Sequence, residues 1–145
     1  MRVFVLEDST SRIVCFKEIF EDPRVSLEIV DNVPDAKQLF KGNYDLILLD
    51  HDLTYEHYTD KSIVAGTGSE FASWLAEFNK PEQGPVLIHS FNPDGAQRMF
   101  KVLEEACWTA IKFPFGVDFL TRLQQYRSDT LTAEDPVEIV KECLG

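Results

Sequence analysis

The apolar run "YDLILLDHDL" spans residues 44–53 and decides the fold class. Residues 44–50 have the composition of a strand that is apolar on both faces, which is typical of a central strand in a parallel sheet. The run then ends in Asp50, His51 and Asp52. Three polar side chains in this place could cap and solvate the strand, or they could deliver ligands and proton carriers to a site.

Short apolar runs alternate with helical patterns on both sides of this stretch. The predicted strands are residues 2–7, 25–31, 44–50, 84–90 and 108–113, and a predicted helix follows each of them. This alternation predicts an α/β fold, a doubly wound five-stranded parallel sheet with right-handed crossovers. The expected strand order is that of flavodoxin-like folds, 2-1-3-4-5.

The pattern predicts one main domain and a short extension. Residues 1–127 form the predicted α/β domain, and residues 128–145 form a C-terminal extension with a short helix. Asp135 and Glu138 have the spacing of a capping box at the start of that helix. The extra helix could serve contacts with a partner protein or a second copy, or it could pack on its own domain.

Composition excludes several classes of function. The net charge of −11 argues against an extended nucleic-acid groove, which needs a basic face, and is compatible with a cation cofactor. The sequence has no apolar run long enough to span a bilayer and no signal-peptide pattern, so we expect a cytoplasmic protein without a membrane anchor. The three cysteines are widely spaced without a CxxC pattern, which predicts reduced thiols.

Acidic and other polar residues are concentrated where three of the predicted strands end. The residues are Glu7 and Asp8 after the first strand, Asp50, His51 and Asp52 after the third, and His89, Ser90 and Asn92 after the fourth. Ligands of open α/β sheets bind beyond the carboxyl ends of the strands. Helix-dipole complementation or a structural histidine would explain each feature alone. Their convergence predicts a functional site.

The acidic residues of this group predict a divalent cation. Carboxylates packed together repel one another and raise their own pKa values unless a cation neutralises them. Oxygen ligands suit Mg²⁺ or Mn²⁺, whereas participation of an imidazole would shift the choice towards Mn²⁺, Fe or Zn²⁺. The spacing does not decide which histidine, if either, is a ligand.

Two segments could hold a phosphate. Ser90 leads into a helix with Asn92 as its predicted cap and Pro93 at its first position, and the N–H groups at a helix start favour anions. The segment "GTGS" at residues 66–69, with Gly68, precedes another helix and would let the backbone approach a ligand closely, although it could be only a turn.

The strand ends resemble those of receiver domains of response regulators. The resemblance implies that Glu7 and Asp8 are metal ligands, Asp50 a phosphoacceptor and Ser90 a phosphoryl contact. Receivers place a lysine directly before the proline that follows the fifth strand. Here Phe113 precedes Pro114, and Lys112 lies one residue earlier. A one-residue offset turns a strand side chain to the opposite face.

A narrower resemblance rests on four motifs, "LDHDL" (49–53), "TGSEFASWL" (67–75), "HSFNPDGAQRM" (89–99) and "PF" (114–115). They resemble the cyclic-phosphate processing receiver family, a divergent branch of receiver domains. The resemblance covers residues 2 to 120 and implies a metal-dependent phosphoesterase that acts on cyclic phosphates. It implies a site at Asp8, Asp50, His51, Asp52, His89, Ser90 and Asn92.

The main hypothesis is metal-assisted hydrolysis of a cyclic phosphate, such as a 2′,3′-cyclic nucleotide or an RNA end. Glu7, Asp8, Asp50 and Asp52 would hold Mg²⁺ or Mn²⁺, or else Zn²⁺ or Fe. His89, His51 and Asp50 are the predicted catalytic residues, and Ser90, Asn92 and Gly68 are the predicted phosphate contacts. The alternatives are a phosphorylation-dependent switch at Asp50 and a non-catalytic module that binds a protein partner or forms a homodimer.

Overall fold

Five β-strands alternate with five α-helices in residues 1–53, 66–78 and 84–132, the parts of the chain that the computed structural model describes. The strands are β1 (Arg2–Leu6), β2 (Ser26–Val30), β3 (Leu46–Leu49), β4 (Val86–Ile88) and β5 (Ala110–Lys112). The helices are α1 (Thr10–Ile19), α2 (Val33–Leu39), α3 (Gly68–Glu77), α4 (Pro93–Glu105) and α5 (Val117–Thr132).

The strands form one parallel sheet in the order β2-β1-β3-β4-β5. The predicted fold class and strand order are therefore confirmed. β3 is the central strand, and all four of its residues are buried. Helices cover both faces of β3, which explains why its sequence is continuously apolar rather than alternating.

The sheet ladder continues one residue beyond the ends of the three middle strands. The N–H of Asp50 donates to the carbonyl oxygen of Leu6, and the N–H of His89 donates to that of Leu49, each at 3.0 Å. Glu7 follows Leu6 directly, and Leu6 is paired with Leu49. The backbone of Glu7, Asp50 and His89 therefore forms the next row across the sheet.

Apolar side chains cover each face of the sheet. The face under α1 and α5 carries Val3, Val5, Leu46, Leu48 and Leu87, packed with Phe16, Phe20, Phe119, Leu123 and Tyr126. The face under α2, α3 and α4 carries Phe4, Leu6, Ile47, Leu49, Val86 and Ile88. Strand side chains alternate between faces. Glu7, Asp50 and His89 continue the series Val5, Leu48 and Leu87 and lie on the α1/α5 face.

Side-chain hydrogen bonds fix the starts of α4 and α1 in two different ways. The Oδ1 atom of Asn92 accepts the N–H of Gly95 at 3.0 Å, and Pro93 is the first residue of α4, as the sequence predicts. The start of α1 is different, because Ser9 makes no capping bond with its side chain. Instead, Oε1 of Glu7 accepts the N–H groups of Asp8 and Ser9 at 3.1 and 3.0 Å. Glu7 thus fixes the turn from β1 into α1.

The last described helix crosses the predicted domain boundary. α5 continues past residue 127 to Thr132. The predicted C-terminal helix, with its capping box at Asp135 and Glu138, lies outside the described residues. Among the described helices, none combines the length and apolar character that crossing a bilayer requires.

Candidate functional site

Glu7, Asp50 and His89 meet at the carboxyl ends of β1, β3 and β4. One oxygen of each carboxylate and one ring nitrogen lie within 4.8 Å of one another. Glu7 and His89 are 0% exposed, and Asp50 is 5% exposed. Within residues 1–53, 66–78 and 84–132, this is the one cluster of three side chains that could share a metal ion. We call it the strand-end cluster.

His89 joins the strand-end cluster to an aromatic cage. Its Nε2 atom lies 2.7 Å from Oε2 of Glu7, and Nε2–H is the donor whenever Glu7 is ionised. The ring packs against Phe16, Phe119 and Phe115, with centroid distances of 5.4, 5.7 and 6.5 Å. The buried Nδ1 atom has no hydrogen-bond partner. An unpaired buried nitrogen is unfavourable for stability, so its presence suggests a functional role for the imidazole.

The two carboxyl groups of the cluster have opposite pKa shifts. Burial, and then the charge of Glu7, raise the pKa of Asp50 to about 6, although His89 and Arg12 counteract part of this. Burial also acts to raise the pKa of Glu7. The hydrogen bond and charge of His89, the Ser9 N–H and Arg12 outweigh it and lower that pKa. Near neutral pH the cluster therefore buries two negative charges that a cation would stabilise.

The strand-end cluster fits a divalent cation. Two carboxylate oxygens and one imidazole nitrogen form a donor set that suits Mn²⁺, Fe²⁺ or Zn²⁺. Of the four predicted ligands, the structure brings together Glu7 and Asp50 and adds His89. Asp8 is buried next to the cluster and its N–H donates to Oε1 of Glu7, but its carboxylate is not among the three groups that could share one ion. Asp8 remains a predicted ligand.

His51, Asp52 and Asn92 form a second polar group at the rim of the sheet. Oδ1 of Asp52 lies 2.8 Å from Nδ1 of His51 and accepts from Nδ2 of Asn92 at 3.2 Å. An ionised carboxylate only accepts, so Nδ1 of His51 carries the hydrogen. The bond from His51 is the main cause of the lowered pKa of Asp52; Asn92 also contributes, against a raising effect of burial. Asp52 therefore orients His51 and does not belong to the strand-end cluster.

Ser90 connects these two groups at the start of α4. It is buried directly after His89, and its Oγ atom accepts the N–H of Asn92 at 3.0 Å. Its own hydroxyl hydrogen can rotate towards a ligand oxygen. The structure therefore places Ser90 and Asn92 beside the cluster, at the edge where the predicted phosphate contacts were expected.

Gly68 has a packing role that is distinct from the predicted phosphate contact. Its N–H donates to the carbonyl oxygen of His51 at 2.9 Å, so this donor is already engaged within the protein. A Cβ atom at this position would overlap the carbonyl oxygen of Asp50. Gly68 therefore allows α3 to pack directly against the backbone that presents Asp50 and His51.

We expect Gly68→Ala to destabilise the protein by about 2–3 kcal/mol, because the added methyl meets backbone that cannot rotate away. Urea unfolding followed by circular dichroism measures this effect. Gly116→Ala is the matched control, since no atom beyond its two chain neighbours lies within 4 Å of a Cβ placed there. Equal stability of the two variants would contradict the packing role of Gly68.

Comparison with protein-family models matches residues 4–105 to the "Cyclic-phosphate processing Receiver domain". The matched span runs from β1 to the end of α4 and includes the strand-end cluster and the His51–Asp52–Asn92 group. The chain belongs to this family. The family resemblance expected from the motifs is confirmed. Among curated protein sequences, the search found no match.

The fold of this receiver-family domain is similar to solved response regulators. The phosphorylated cyanobacterial phytochrome response regulator RcpA has a TM-score of 0.62 and 16% identity, covering 92% of this chain and 96% of that chain. The non-phosphorylated HemR receiver domain from Leptospira biflexa gives 0.61 and 23%, covering 92% and 98%. The Mn²⁺-bound form of the response regulator Rcp1 gives 0.58 and 18%, covering 92% and 96%. At these identities the similarity shows the fold alone.

The end of β5 in this receiver-family domain departs from the receiver pattern. Nζ of Lys112 donates to Oε1 of Gln97 and lies 5.0 Å from the ring centroid of Phe100, both on α4. Phe113 packs on the other face, with its ring 5.7 Å from that of Phe119. Lys112 therefore lies on the sheet face opposite the strand-end cluster, as its one-residue offset predicts.

Arg12 is a residue of the site that the sequence analysis missed. Its Nη1 atom lies 3.6 Å from Oε2 of Glu7 and 3.8 Å from Oδ1 of Asp50. In the described part of the chain, no other Lys or Arg side chain forms an ion pair with this cluster. Arg12 stands in the first turn of α1, where a positive charge opposes the helix dipole. The positive charge of Arg12 so soon after an acidic strand end was the feature of the sequence that could have identified it.

Proposed function

We propose that this receiver-family domain is a metal-dependent phosphoesterase that hydrolyses a cyclic phosphate, such as a 2′,3′-cyclic nucleotide or an RNA end. The observation that carries the proposal is the buried cluster of Glu7, Asp50 and His89 at the carboxyl edge of the sheet. The buried carboxylates of Glu7 and Asp50 would attract a divalent cation, and the family to which the chain belongs is described as processing cyclic phosphates.

Glu7, Asp50 and His89 are the residues that would hold the cation. When bound, a divalent ion supplies a Lewis acid that polarises the phosphoryl group and lowers the pKa of a bound water. Before a cation binds, Nε2–H of His89 holds the Glu7 carboxylate in place through the 2.7 Å contact with Oε2; as a ligand through Nε2, His89 would give up that hydrogen. The aromatic cage around His89 excludes water from the inner side of the site.

His51 is the proposed proton carrier at the rim. Because Asp52 holds the hydrogen on Nδ1, Nε2 is the nitrogen that accepts a proton from the nucleophile or donates one to the leaving oxygen. The hydroxyl of Ser90 would donate to a non-bridging phosphoryl oxygen, and Asn92 positions both Asp52 and the start of α4.

A second candidate function is a phosphorylation-dependent switch with Asp50 as the phosphoacceptor. The position of Asp50 directly after the central strand of a receiver fold favours it. The orientation of Lys112 argues against it, because the cation that the receiver resemblance leads us to expect near Asp50 lies against α4 instead.

The two candidates are separated by one pair of assays on the same protein. We expect turnover of a 2′,3′-cyclic nucleotide that requires Mn²⁺, Mg²⁺ or Zn²⁺ and stops on addition of a chelator. Asp118→Asn, at an exposed position in α5, is a control that should retain turnover. If no ion supports turnover, and a small phosphodonor instead forms an acid-labile adduct on Asp50 detected by mass spectrometry, the switch function replaces the hydrolase.

A further inference from the structure

The side chain of Arg12 lies against two aromatic rings beside the strand-end cluster. Its guanidinium carbon lies 4.8 Å from the ring centroid of Phe91 and 4.8 Å from that of Phe115. Contact with aromatic rings uses none of the N–H donors of the guanidinium, which stay available to oxygen ligands. The two rings therefore help to position Arg12 without engaging its donors.

The contacts of Arg12 with the carboxylates are longer than hydrogen bonds. The distances of 3.6 Å to Oε2 of Glu7 and 3.8 Å to Oδ1 of Asp50 exceed the usual N–H···O range. Arg12 thus compensates the charge of both carboxylates through space. Its side chain is 18% exposed, so the guanidinium stands between the buried carboxylates and solvent.

Phe91 is exposed at the edge of the site, and its ring contacts the guanidinium of Arg12. It is 63% exposed, directly after the strand-end residues His89 and Ser90. An exposed phenyl ring at the mouth of a polar site gains little from the hydrophobic effect. Its close partner is the guanidinium of Arg12, which indicates that the ring serves to position that cation.

We propose that Arg12 is the residue that binds a non-bridging phosphoryl oxygen of the substrate. This inference rests on the proposed phosphoesterase function and deepens it. A divalent cation bound by Glu7 and Asp50 would neutralise the charges of these carboxylates. The positive charge of Arg12 would then no longer be compensated by them. A phosphoryl group bound beside those carboxylates lies within reach of the same guanidinium, whose planar donors match two phosphate oxygens.

The test uses Mn²⁺ alone and inorganic phosphate as probes in isothermal titration calorimetry. We expect Arg12→Gln to bind Mn²⁺ at least as tightly as the unsubstituted protein, because a competing positive charge is gone. We expect it to bind phosphate about 10- to 100-fold more weakly once loaded with Mn²⁺. Arg12→Lys keeps the charge but not the planar donors and should be intermediate. Phe91→Leu should weaken phosphate binding about 2- to 5-fold.

Arg98→Gln is the matched control, since Arg98 is exposed on α4 and should not affect either titration. Unchanged phosphate binding by Mn²⁺-loaded Arg12→Gln would overturn the role of Arg12, as would a complete lack of phosphate binding by the unsubstituted protein. Phosphate binding that depends on Arg12, without turnover of any cyclic phosphate, would support this inference and reject the hydrolase function.

Discussion

Replacing Asp50 with asparagine should stabilise the protein near neutral pH and abolish its metal-dependent turnover. The folded-state pKa of Asp50 is raised from 3.8 to about 6, so the folded state retains a proton that the unfolded state has lost. The ionised carboxylate therefore costs stability above its folded-state pKa, by about 3 kcal/mol at 1.36 kcal/mol per pKa unit. Asparagine removes that charge and a metal ligand together. Turnover should fall by at least about 1,000-fold.

The pH dependence makes this prediction specific. In the presence of a chelator, the stability difference between Asp50→Asn and the unsubstituted protein should be absent below pH 3.8. It should grow as pH rises and level off above about 6. Urea unfolding across this range measures it. A constant difference at every pH would contradict the raised pKa.

Asp52→Asn is the matched control, with the same chemical change two residues later. The hydrogen bond from His51 chiefly lowers the pKa of Asp52, so its charge stabilises the folded state. That contribution is lost as pH falls through the lowered pKa. We therefore expect a change of opposite sign near neutral pH. The effect should be small, because 62% of the Asp52 side chain is exposed. Stabilisation by both substitutions would point to net charge rather than to burial of Asp50.

His89→Ala should destabilise the protein by about 2–4 kcal/mol and remove cation binding. It leaves a cavity inside the cage of Phe16, Phe115 and Phe119, and it deprives the fully buried Glu7 carboxylate of its 2.7 Å partner. Chemical unfolding with a chelator measures the first effect, and Mn²⁺ titration measures the second.

His89→Gln separates the two roles of His89. The amide nitrogen of glutamine can occupy the place of Nε2 and donate to Glu7, but its side chain offers no imidazole nitrogen to a metal. We expect this variant to recover much of the stability lost in His89→Ala while Mn²⁺ affinity stays weak. If His89→Gln binds Mn²⁺ as well as the unsubstituted protein does, His89 only orients Glu7 and is not itself a ligand.

The fold was predictable because its signals are local and agree with one another. The continuously apolar run before Asp50 can be buried only in a strand covered on both faces, and β3 is such a strand. The sequence Asn92-Pro93 marks the start of α4, and the structure shows the expected cap. Together with the alternation of strands and helices, these signals leave few topologies.

The composition of the strand-end cluster was predictable only in part. Asp50 and Asp52 both follow the predicted third strand, and both were therefore predicted as ligands. β3 ends at Leu49, however, and Asp52 leaves the sheet to form an isolated bridge with Thr67. His89 takes the third place because the β3–β4 register puts it in the row of Asp50, and register is not visible in a single sequence.

Arg12 was missed because its role depends on contacts with residues that follow four different strands. Its partners Glu7, Asp50, Phe91 and Phe115 come from four different strand ends or the turns after them. Only its unfavourable position in the first turn of α1 distinguished it in the sequence. A charge that opposes the helix dipole beside an acidic strand end is therefore a useful indication of a site.

Calorimetric titration of Mn²⁺ into the unsubstituted protein and Asp50→Asn, near neutral pH, tests the central claim most directly. If Glu7, Asp50 and His89 form a cation site, the unsubstituted protein shows saturable binding. Asp50→Asn should then bind Mn²⁺ at least about 100-fold more weakly. Even the loss of a residue that only hydrogen-bonds to a metal ligand can reduce metal affinity by that factor. Affinity should also fall below about pH 6, where Asp50 holds its proton. Equal binding by both proteins, or no saturable binding by either, would contradict the claim.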